Sequence, residues 1–244
     1  MTGAAGPTDG AAGPADGMVG AADDELADQP SVTGASLPSW FAELVSSGEE
    51  IADEDFVGTD LRQVTLRRVH FLRCRFDEAS LDELSTEACS FTDCSFDRAE
   101  LVGSSHLRTA FVACSFVRTR FTGASLVSCK LTGSTFSDTP LRSATIAGGG
   151  DWTAVSLGGA DLRELDFTDV KLTDANLTGA KLDRCVFTNA NLTGLRWGQA
   201  SLRDADLRGA LIDGLDPRIA DLTGARATVE QALTFAQYLG LRIG

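Results

Sequence analysis

The sequence is poor in the side chains on which most active sites depend. Its 244 residues include only two histidines, one tyrosine and two methionines. It also has no glycine-rich phosphate loop, no nucleophile elbow and no cluster with the spacing of metal ligands. We therefore expect a protein that is not an enzyme and that uses no metal or cofactor.

Basic residues are absent from the first 55 positions, which hold 12 of the 35 acidic residues. The other 23 acidic residues are nearly balanced by the 21 Lys and Arg residues, all of which lie after position 55. The net charge of −14 thus belongs mainly to the N-terminal segment. Because contacts to phosphates need a basic stripe, we expect no direct binding to nucleic acid.

Long apolar runs are also missing. No run approaches the ~18 residues that a membrane-spanning helix needs. The chain does not begin with basic residues followed by an apolar stretch, which is the pattern of a secretory signal. The sequence therefore predicts neither a membrane span nor a secretory signal, and we expect a cytoplasmic protein.

A five-residue period dominates what is present. A large apolar residue, called the centre of its unit below, recurs every five residues from Phe56 to Ile146. The same period continues, shifted by one position, from Trp152 to Leu222. A small residue, most often Ala, Cys, Ser or Thr, stands two positions before each centre. A repeat of this length decides the fold before any other feature does.

A period of five matches neither a helix nor a strand, so the backbone must turn once in every unit. A quarter turn per unit gives a square coil of four units, and coils stacked at about 4.8 Å pair through parallel ladder bonds. Centres that are four units apart should then stack. Two groups of phenylalanines have this spacing: Phe56, Phe76, Phe96, Phe116 and Phe136, and Phe71, Phe91 and Phe111.

Residues 175–184, ANLTGAKLDR, contain the unit twice as a small residue, a polar residue, Leu, and two further polar or small residues. Tandem units of this kind resemble the pentapeptide-repeat family. The resemblance implies a right-handed quadrilateral parallel β-helix. We therefore predict an all-β solenoid over residues 56–224, with a frame slip at 147–151 and short capping helices at both ends.

The N-terminal region has two predicted parts. Residues 1–36 are rich in Gly, Ala, Asp and Pro, a composition typical of a disordered acidic tail. Residues 37–55 predict a capping helix and a linker, with Ser39 as the N-cap. Four apolar residues have the spacing of one helical face: Trp40, Phe41, Leu44 and Val45. This helix should cover the open end of the solenoid, although a partner-binding helix is the alternative.

Residues 225–244 predict a C-terminal helix. Thr228 and Gln231 have the spacing of a capping box at its start. An apolar stripe should cover the last coil, and its members are Val229, Ala232, Leu233, Ala236 and Leu239. Phe235 and Tyr238 lie off this stripe, so we expect them at the interface of a homodimer.

The cysteines follow the repeat. All six stand in the small position before a centre, and no two form a CxxC pair: Cys74, Cys89, Cys94, Cys114, Cys129 and Cys185. Cysteine in such a place behaves as a small apolar residue, so we expect reduced core thiols rather than a metal site or disulfides.

Two polar residues, Thr86 and His106, occupy centres that are four units apart. The sequence leaves two structural interpretations open: a hydrogen-bonded pair inside the core, or a local bulge that turns Leu107 inward. A catalytic histidine would need a cleft and a partner group, and a filled square prism offers no cleft.

The residue after each centre faces outward and is usually polar, yet it is apolar in several neighbouring units. These positions define a predicted apolar belt, formed by Val102, Leu107, Val112, Val117 and Val127. A contiguous apolar set indicates a contact surface. The alternative is that valine is present because it suits extended backbone.

The resemblance to this family also implies a function. The fluoroquinolone-resistance members of the pentapeptide-repeat family are dimers that bind DNA gyrase by imitating duplex DNA with an acidic surface. The resemblance implies such a surface on the C-terminal half of this chain, with Asp161, Asp166, Asp206 and Asp221 as candidate phosphate mimics. The alternative is a passive protein-binding scaffold that docks by the apolar belt or by the tail, with no role at a topoisomerase.

Overall fold

The structure is a computed structural model that describes residues 29–34 and 37–242. Two helices lie near the ends of the chain, α1 at Ser39–Ser46 and α2 at Val229–Tyr238. Neither helix, nor any other in the described residues, is long and apolar enough to cross a bilayer.

Thirteen strands account for the regular β-structure of the described residues. They are β1 Ser31–Thr33, β2 Ile51–Ala52, β3 Thr65–Arg67, β4 His70–Leu72, β5 Ser85–Glu87, β6 Ser90–Thr92, β7 Ser105–Leu107, β8 Ala110–Val112, β9 Ser115–Val117, β10 Ser125–Lys130, β11 Thr135–Ser137, β12 Thr145–Asp151 and β13 Val170–Lys171. Beyond β13, isolated parallel bridges continue the same pairing.

The strands are rungs of one solenoid. In β3, β5, β7 and β10 the parallel register pairs Leu66 with Thr86, Thr86 with His106, and His106 with Leu126. Each unit thus turns the chain by a quarter, and each coil bonds to the next through its backbone. The fold is the predicted right-handed quadrilateral parallel β-helix.

The four sides of the rod are named here by the centres that stack behind them. Face 1 begins with Phe56 and Phe76, face 2 with Leu61 and Leu81, face 3 with Leu66 and Thr86, and face 4 with Ile51 and Phe71. The largest sheet covers faces 3 and 4, because β10 runs around the corner between them.

Phenylalanine ladders fill the N-terminal half of the core. The ring of Phe96 stacks 5.0 Å from Phe76 and 5.1 Å from Phe116 on face 1. On face 4, Phe91 stacks 4.9 Å from Phe71 and 5.0 Å from Phe111. Rings of the two ladders meet edge to face, and every one of them is buried. The predicted stacks are therefore confirmed.

Where the small position before a centre holds Cys, Ser or Thr, its side chain also makes a hydrogen bond. The Cys114 thiol donates to the carbonyl of Phe91 at 3.3 Å, and the Thr119 hydroxyl donates to the carbonyl of Phe96 at 2.7 Å. Burial raises the pKa of the Cys129 thiol to about 11 and that of Cys185 to about 12. All six cysteines are buried and free, as predicted. Thiols in such surroundings are poor nucleophiles.

The frame slip lies in β12 at the corner between faces 3 and 4. Val127 pairs with Ala147, but Cys129 pairs with Gly150, so one extra residue is taken up between these pairs. Gly150 has φ +150, and a Cβ there would lie 2.3 Å from the Cys129 carbonyl oxygen. The extra residue therefore fits only as a glycine.

The ladder is interrupted on face 2 beside this slip. Pro140 has no N–H to donate, and the N–H of Leu141 has no backbone acceptor among the described residues, whereas the equivalent N–H of Leu162 donates to the carbonyl of Lys181 at 2.9 Å. An opening of about 470 Å³ lies here, lined by Phe136, Asp138, Thr139, Pro140, Gly158, Gly159, Ala160 and Asp161. The coil that contains Pro140 and the next coil, which contains Gly159, are still joined by backbone pairing on faces 1 and 4.

The N-terminal end departs from the prediction in two ways. The N-cap of α1 is Pro38, not Ser39, and no side chain caps the helix. Residues 31–33, predicted to be disordered, form β1, which pairs antiparallel with β3. The edge strand of face 3 needs a partner for its backbone groups, and β1 supplies it. The rest of the predicted tail, residues 1–28 and 35–36, lies outside the described residues.

Helix α1 covers the first coil as predicted. Phe41 and Val45 are buried, and the Phe41 ring lies 5.5 Å from that of Phe56. Trp40 is half exposed and stacks on the same ring at 6.0 Å. The helix therefore extends the aromatic ladder beyond the end of the sheet.

Helix α2 has the predicted capping box, but the predicted apolar stripe is wrong. The face that meets the last coil carries Gln231 and Phe235, while Val229 is 72% exposed and Leu233 is 42% exposed. The Gln231 amide donates to the carbonyls of Leu207 and Ala210 at 2.7 and 2.8 Å. An open coil end presents carbonyl groups without partners, and an apolar stripe cannot satisfy them.

Candidate partner-binding surfaces

The buried polar residues form a closed network rather than a reactive site. Thr86 Oγ1 lies 2.8 Å from His106 Nδ1 and 2.8 Å from Thr109 Oγ1. His106 Nε2 lies 3.0 Å from the Ser104 hydroxyl, which donates to the Leu101 carbonyl. The hydrogen-bonded interpretation is confirmed and the bulge is wrong, since the backbone stays in register and Leu107 faces outward.

The distances in this network fit either neutral tautomer of His106: Thr86 donates to Nδ1 and Nε2–H donates to Ser104, or Nδ1–H donates to Thr86 and Ser104 donates to Nε2. Burial in the core disfavours the charged imidazole and lowers the pKa of His106 to about 4. The sequence could not identify Ser104 and Thr109, because both occupy the small position where Ala or Cys is equally common.

We expect this histidine to make stability depend on pH. Its pKa is about 4 in the folded chain and ~6.5 unfolded, so between these values the unfolded state binds the proton. The free energy of unfolding therefore has its full value above pH ~6.5, and it falls by about 2 kcal/mol between neutral pH and pH 5. Urea unfolding from pH 7.5 to 5 measures this loss.

The double variant Thr86→Leu, His106→Leu removes the buried histidine and should therefore flatten the pH dependence. It should still fold, because the Ser104 and Thr109 hydroxyls can donate to the carbonyls of Leu101 and Leu107. His70→Asn, at the exposed histidine, is the matched control and should keep the wild-type slope. An equal loss in wild type and double variant would contradict the buried neutral imidazole.

Three of the four candidate phosphate mimics are neutralised by arginine. Asp161 receives two hydrogen bonds from Arg163, at 2.7 and 2.6 Å, which lower the pKa of the carboxyl group to about 2. Asp206 is paired in the same way with Arg208. The hydroxyl of Thr223 and then Arg203 lower the pKa of Asp221 to about 2. These three carboxylates are anionic, yet each lies beside a compensating cation.

Asp166 is different, because its partners are the hydroxyl and the N–H of Thr168. The bridges place Asp166 and Asp206 in one row on face 3, and Asp161 and Asp221 in one row on face 2. The four aspartates are therefore brought together in two rows on adjoining faces rather than in a single cluster.

A group of uncompensated carboxylates lies on faces 3 and 4 of the C-terminal half of the rod, with Asp166 on face 3, Asp169 at the corner between the two faces, Asp213 on face 4 and Asp174 at the corner where face 4 ends. It consists of Asp166, Asp169, Asp174 and Asp213, and is called the acidic corner below. All four are exposed, and among the described residues no Lys or Arg lies within ion-pair distance of any of them. The sequence alone does not show that these carboxylates lack an ion pair. An arginine partner in the rod lies either two residues away in the same unit or about twenty residues away in the next coil.

The apolar belt faces outward as predicted, and its residues are half-buried. Four consecutive units place Val102, Leu107, Val112 and Val117 on four different faces. Only Leu107 and Val127 are neighbours in one row, on face 3. A partner that lies along one side of the rod would therefore meet two residues of the belt and not five.

The outer side of α2 is apolar and exposed. Val229 and Leu233, four residues apart, lie on the side of the helix away from the coil, and Leu239 at its C-cap is 59% exposed. Phe235, predicted at a dimer interface, instead packs on the core with its ring 6.4 Å from Trp197. Tyr238 remains 36% exposed.

In the described part of the chain there is no group of three or more His, Cys, Asp or Glu residues that could hold a metal ion.

Comparison with known proteins identifies the repeat. A family model described as pentapeptide repeat region matches residues 89–167, and one described as pentapeptide repeats matches residues 55–84, 153–189 and 182–224. No curated protein matches the sequence.

Two structures of QnrB1, a plasmid-mediated fluoroquinolone resistance protein, are similar in fold. A trypsin-treated variant of QnrB1 has a TM-score of 0.71 at 19% identity, covering 80% of this chain and 97% of that chain. The full-length form has a TM-score of 0.67 at 19% identity, covering 79% of this chain and 100% of QnrB1.

Proposed function

This chain belongs to the pentapeptide-repeat family, and we propose that it is a non-catalytic protein that binds DNA gyrase by presenting carboxylates in place of DNA phosphates. The observation that carries the proposal is the acidic corner, where four exposed carboxylates have no compensating cation among the described residues. Rods of this fold that confer fluoroquinolone resistance, such as QnrB1, are the structural relatives that support a topoisomerase partner. A cytoplasmic location follows from this proposal.

Mimicry of DNA needs negative charge along one side of the rod. Three of the aspartates that the sequence suggested fail this requirement, because Arg163, Arg208 and Arg203 cancel their field at short range. The acidic corner comes nearer to it, since its four carboxylates lie on the adjoining faces 3 and 4 with no guanidinium within ion-pair distance among the described residues. The acidic corner therefore replaces the original set as the proposed contact surface.

The test is inhibition of supercoiling by gyrase. Changing Asp166, Asp169, Asp174 and Asp213 to Asn should raise the concentration for half inhibition ~10-fold or more, because the lost charges are those that steer and hold a basic partner. Inhibition by the wild type should also weaken with salt, since exposed charges are screened over ~8 Å at physiological ionic strength.

The matched control changes Asp161, Asp206 and Asp221 to Asn, which removes nearly as many charges from ion-paired positions and should leave inhibition almost unchanged. No inhibition by micromolar wild-type protein at low salt would contradict a gyrase partner. It would favour the passive scaffold, for which Leu107→Asp and Val127→Asp, in one row on face 3, are the disruptive changes.

We further propose that the protein is a homodimer through the outer side of α2. Support comes from the exposed Val229 and Leu233, which lie on the side of α2 away from the last coil, and from Tyr238 and Leu239, which are exposed at the C-terminal end of the helix. A two-fold interface would cover the same stripe on both copies. Phe235, already packed on its own coil, is not part of this proposed interface.

Changing Val229 and Leu233 to Asp should halve the mass measured by light scattering and leave the far-UV circular dichroism of the rod unchanged, because both side chains already face solvent in the single chain. The same two charges placed at the exposed Thr122 and Thr178 are the control and should not alter the mass. A wild-type chain that is monomeric at high concentration would rule the dimer out.

A further inference from the structure

Two coils beside the frame slip are not bonded to each other along two sides of the rod. Residues 137–149 of one coil run opposite residues 157–169 of the next, along faces 2 and 3. The coils are joined at both ends of this stretch, by Phe136 with Ser156 and by Gly150 with Val170. Between those points no backbone hydrogen bond links the two coils, all of whose residues here are described. This stretch is called the seam below.

Both edges of the seam carry backbone groups that a ladder would join. The groups without a hydrogen-bond partner among the described residues are the N–H groups of Leu141, Ile146, Asp161 and Asp166 and the carbonyls of Thr139, Ala144, Asp161 and Asp166. In the next pair of coils the equivalent groups are bonded. The N–H of Leu162 donates to the carbonyl of Lys181, and the N–H of Lys181 donates to the carbonyl of Ala160, both at 2.9 Å. The groups at the seam must therefore bond to water or to another chain.

The seam is open to solvent on face 2. The opening of about 470 Å³ described above lies there, and its volume is within the ~300–1,000 Å³ of clefts that hold ligands. Ala160 is half-buried, whereas Ala180 and Ala200 in the same row are 1% exposed. Arg142 and Glu164 form an exposed ion pair across the seam at 3.4 Å, and pairs of this kind hold little. Solvent therefore enters between the coils at this place.

The opening complements the backbone of an extended chain. N–H and C=O groups alternate along its edges as they do in a β-ladder, and an added strand offers the same groups in return. Phe136, Pro140 and Ala160 give the opening an apolar lining, which suits an apolar side chain.

The charge at the mouth of the opening favours a basic segment. The side chain of Asp138 lines the opening and is 77% exposed. The guanidinium of Arg118 lies 3.9 Å from its carboxylate, which is long for an ion pair. A Lys or Arg of an incoming chain can therefore approach Asp138 from solvent and pair with it more closely.

We propose that the seam is a strand-addition site for a partner polypeptide. An extended segment with apolar residues next to a Lys or Arg bonds to the free N–H and C=O groups on face 2 and places its basic side chain beside Asp138. Main-chain bonds supply the affinity, while the apolar lining and Asp138 select the sequence. This site does not require gyrase as the partner. Its face 3 end borders Asp166 of the acidic corner, so the tests below change residues only on face 1 and at the corner between faces 1 and 2.

The first experiment measures amide hydrogen exchange of the full chain by NMR. The N–H groups of Leu141 and Asp161 should exchange at least ~100-fold faster than those of Leu162 and Lys181, which are bonded between coils. Equal protection of the two pairs would show that the seam is closed in solution and would overturn the proposal.

The second experiment measures binding of the probe acetyl-Thr-Val-Lys-Val-Thr-amide by calorimetry. The wild-type chain should bind it at sub-millimolar concentration, and the same peptide with all backbone nitrogens methylated should bind at least ~10-fold more weakly, because it cannot donate to the ladder. Glutamine in place of the lysine should weaken binding to the wild type ~3-fold and should not weaken binding to Asp138→Asn.

Two glycine variants locate the site. Gly158 and Gly198 both follow a centre on face 1, and a Cβ at either position would meet no atom closer than 3.5 Å. Gly158 lines the opening, whereas Gly198 lies on a bonded coil, where its carbonyl accepts from the N–H of Gly179 at 2.8 Å. Gly158→Leu should weaken probe binding at least ~10-fold by filling the mouth of the opening, and Gly198→Leu should leave it unchanged. No binding by the wild type at millimolar probe, or equal binding by the two variants, would overturn the proposal.

Discussion

Replacing Phe96 by alanine will lower the free energy of unfolding by about 3–5 kcal/mol. Phe96 is 1% exposed, and its ring stacks between Phe76 and Phe116 while meeting Phe91 and Phe111 edge to face. Alanine loses the burial of the ring and leaves a cavity that neighbouring coils cannot close, because their backbones are held in register by ladder bonds on every side. Urea unfolding followed by circular dichroism measures the loss.

The control for this variant is Arg196→Ala, at an exposed side chain on the same face. A surface change of this kind should stay within about 0.5 kcal/mol. Similar losses for Phe96→Ala and Arg196→Ala would show that the phenylalanine ladder does not hold the coils together.

Replacing Gly150 by alanine will cost about 3–5 kcal/mol, from a strained backbone and a direct clash. The new Cβ would lie 2.3 Å from the carbonyl oxygen of Cys129 and 3.2 Å from the Trp152 indole nitrogen. A backbone oxygen cannot rotate away as a side chain can. The shift must therefore occur in the same coil whose ladder on face 2 is already interrupted at Leu141. Thermal or urea unfolding should show the loss.

Gly159→Ala separates the clash from the backbone strain. Gly159 has φ +70, but a Cβ there would meet no atom within 4 Å. Its cost should be limited to the ~1–2 kcal/mol of a left-handed conformation in a non-glycine residue. If the two glycine variants lose the same stability, the contact with Cys129 is not what requires glycine at position 150.

The solenoid itself was predictable because its rule is local. Any unit with a small residue two positions before a large apolar one must turn both inward, and the count of four units per coil then aligns Phe56 with Phe76 and Phe71 with Phe91. The frame slip was visible for the same reason, since one added residue moves every later centre. The capping box of Thr228 and Gln231 likewise depends on four adjacent residues.

The ends of the rod were predicted less well. The stripe on α2 was assigned by apolarity alone, but the last coil needs hydrogen-bond donors, and Gln231 supplies them. Strand β1 was missed because its three residues carry no repeat pattern, and only the open edge of β3 makes Ser31–Thr33 a strand. In both places the unpaired backbone of the solenoid outweighed the preferences of the segment that covers it.

The candidate binding surfaces depended still more on the fold. Counting charges along the chain cannot tell Asp161, held by Arg163, from Asp174, which has no Lys or Arg of the described residues within ion-pair distance. It also cannot tell that an apolar belt of consecutive units winds around four faces. Arg163 and Arg208 reach aspartates two residues away in the same unit, whereas Arg203 reaches Asp221 in the neighbouring coil, and only the structure shows which of these contacts are made.

By itself, the sequence determined the period, the inward residues, the reduced core cysteines and the acidic N-terminal segment, because each depends on composition or on residues a few positions apart. Only the tertiary structure decided which carboxylates keep their charge uncompensated, which side of α2 faces the coil, and that Ser31–Thr33 pair with the open edge of β3. The physical reason is that salt bridges and edge pairing act over a few ångströms in space, and in a solenoid that distance joins residues that are far apart in the sequence.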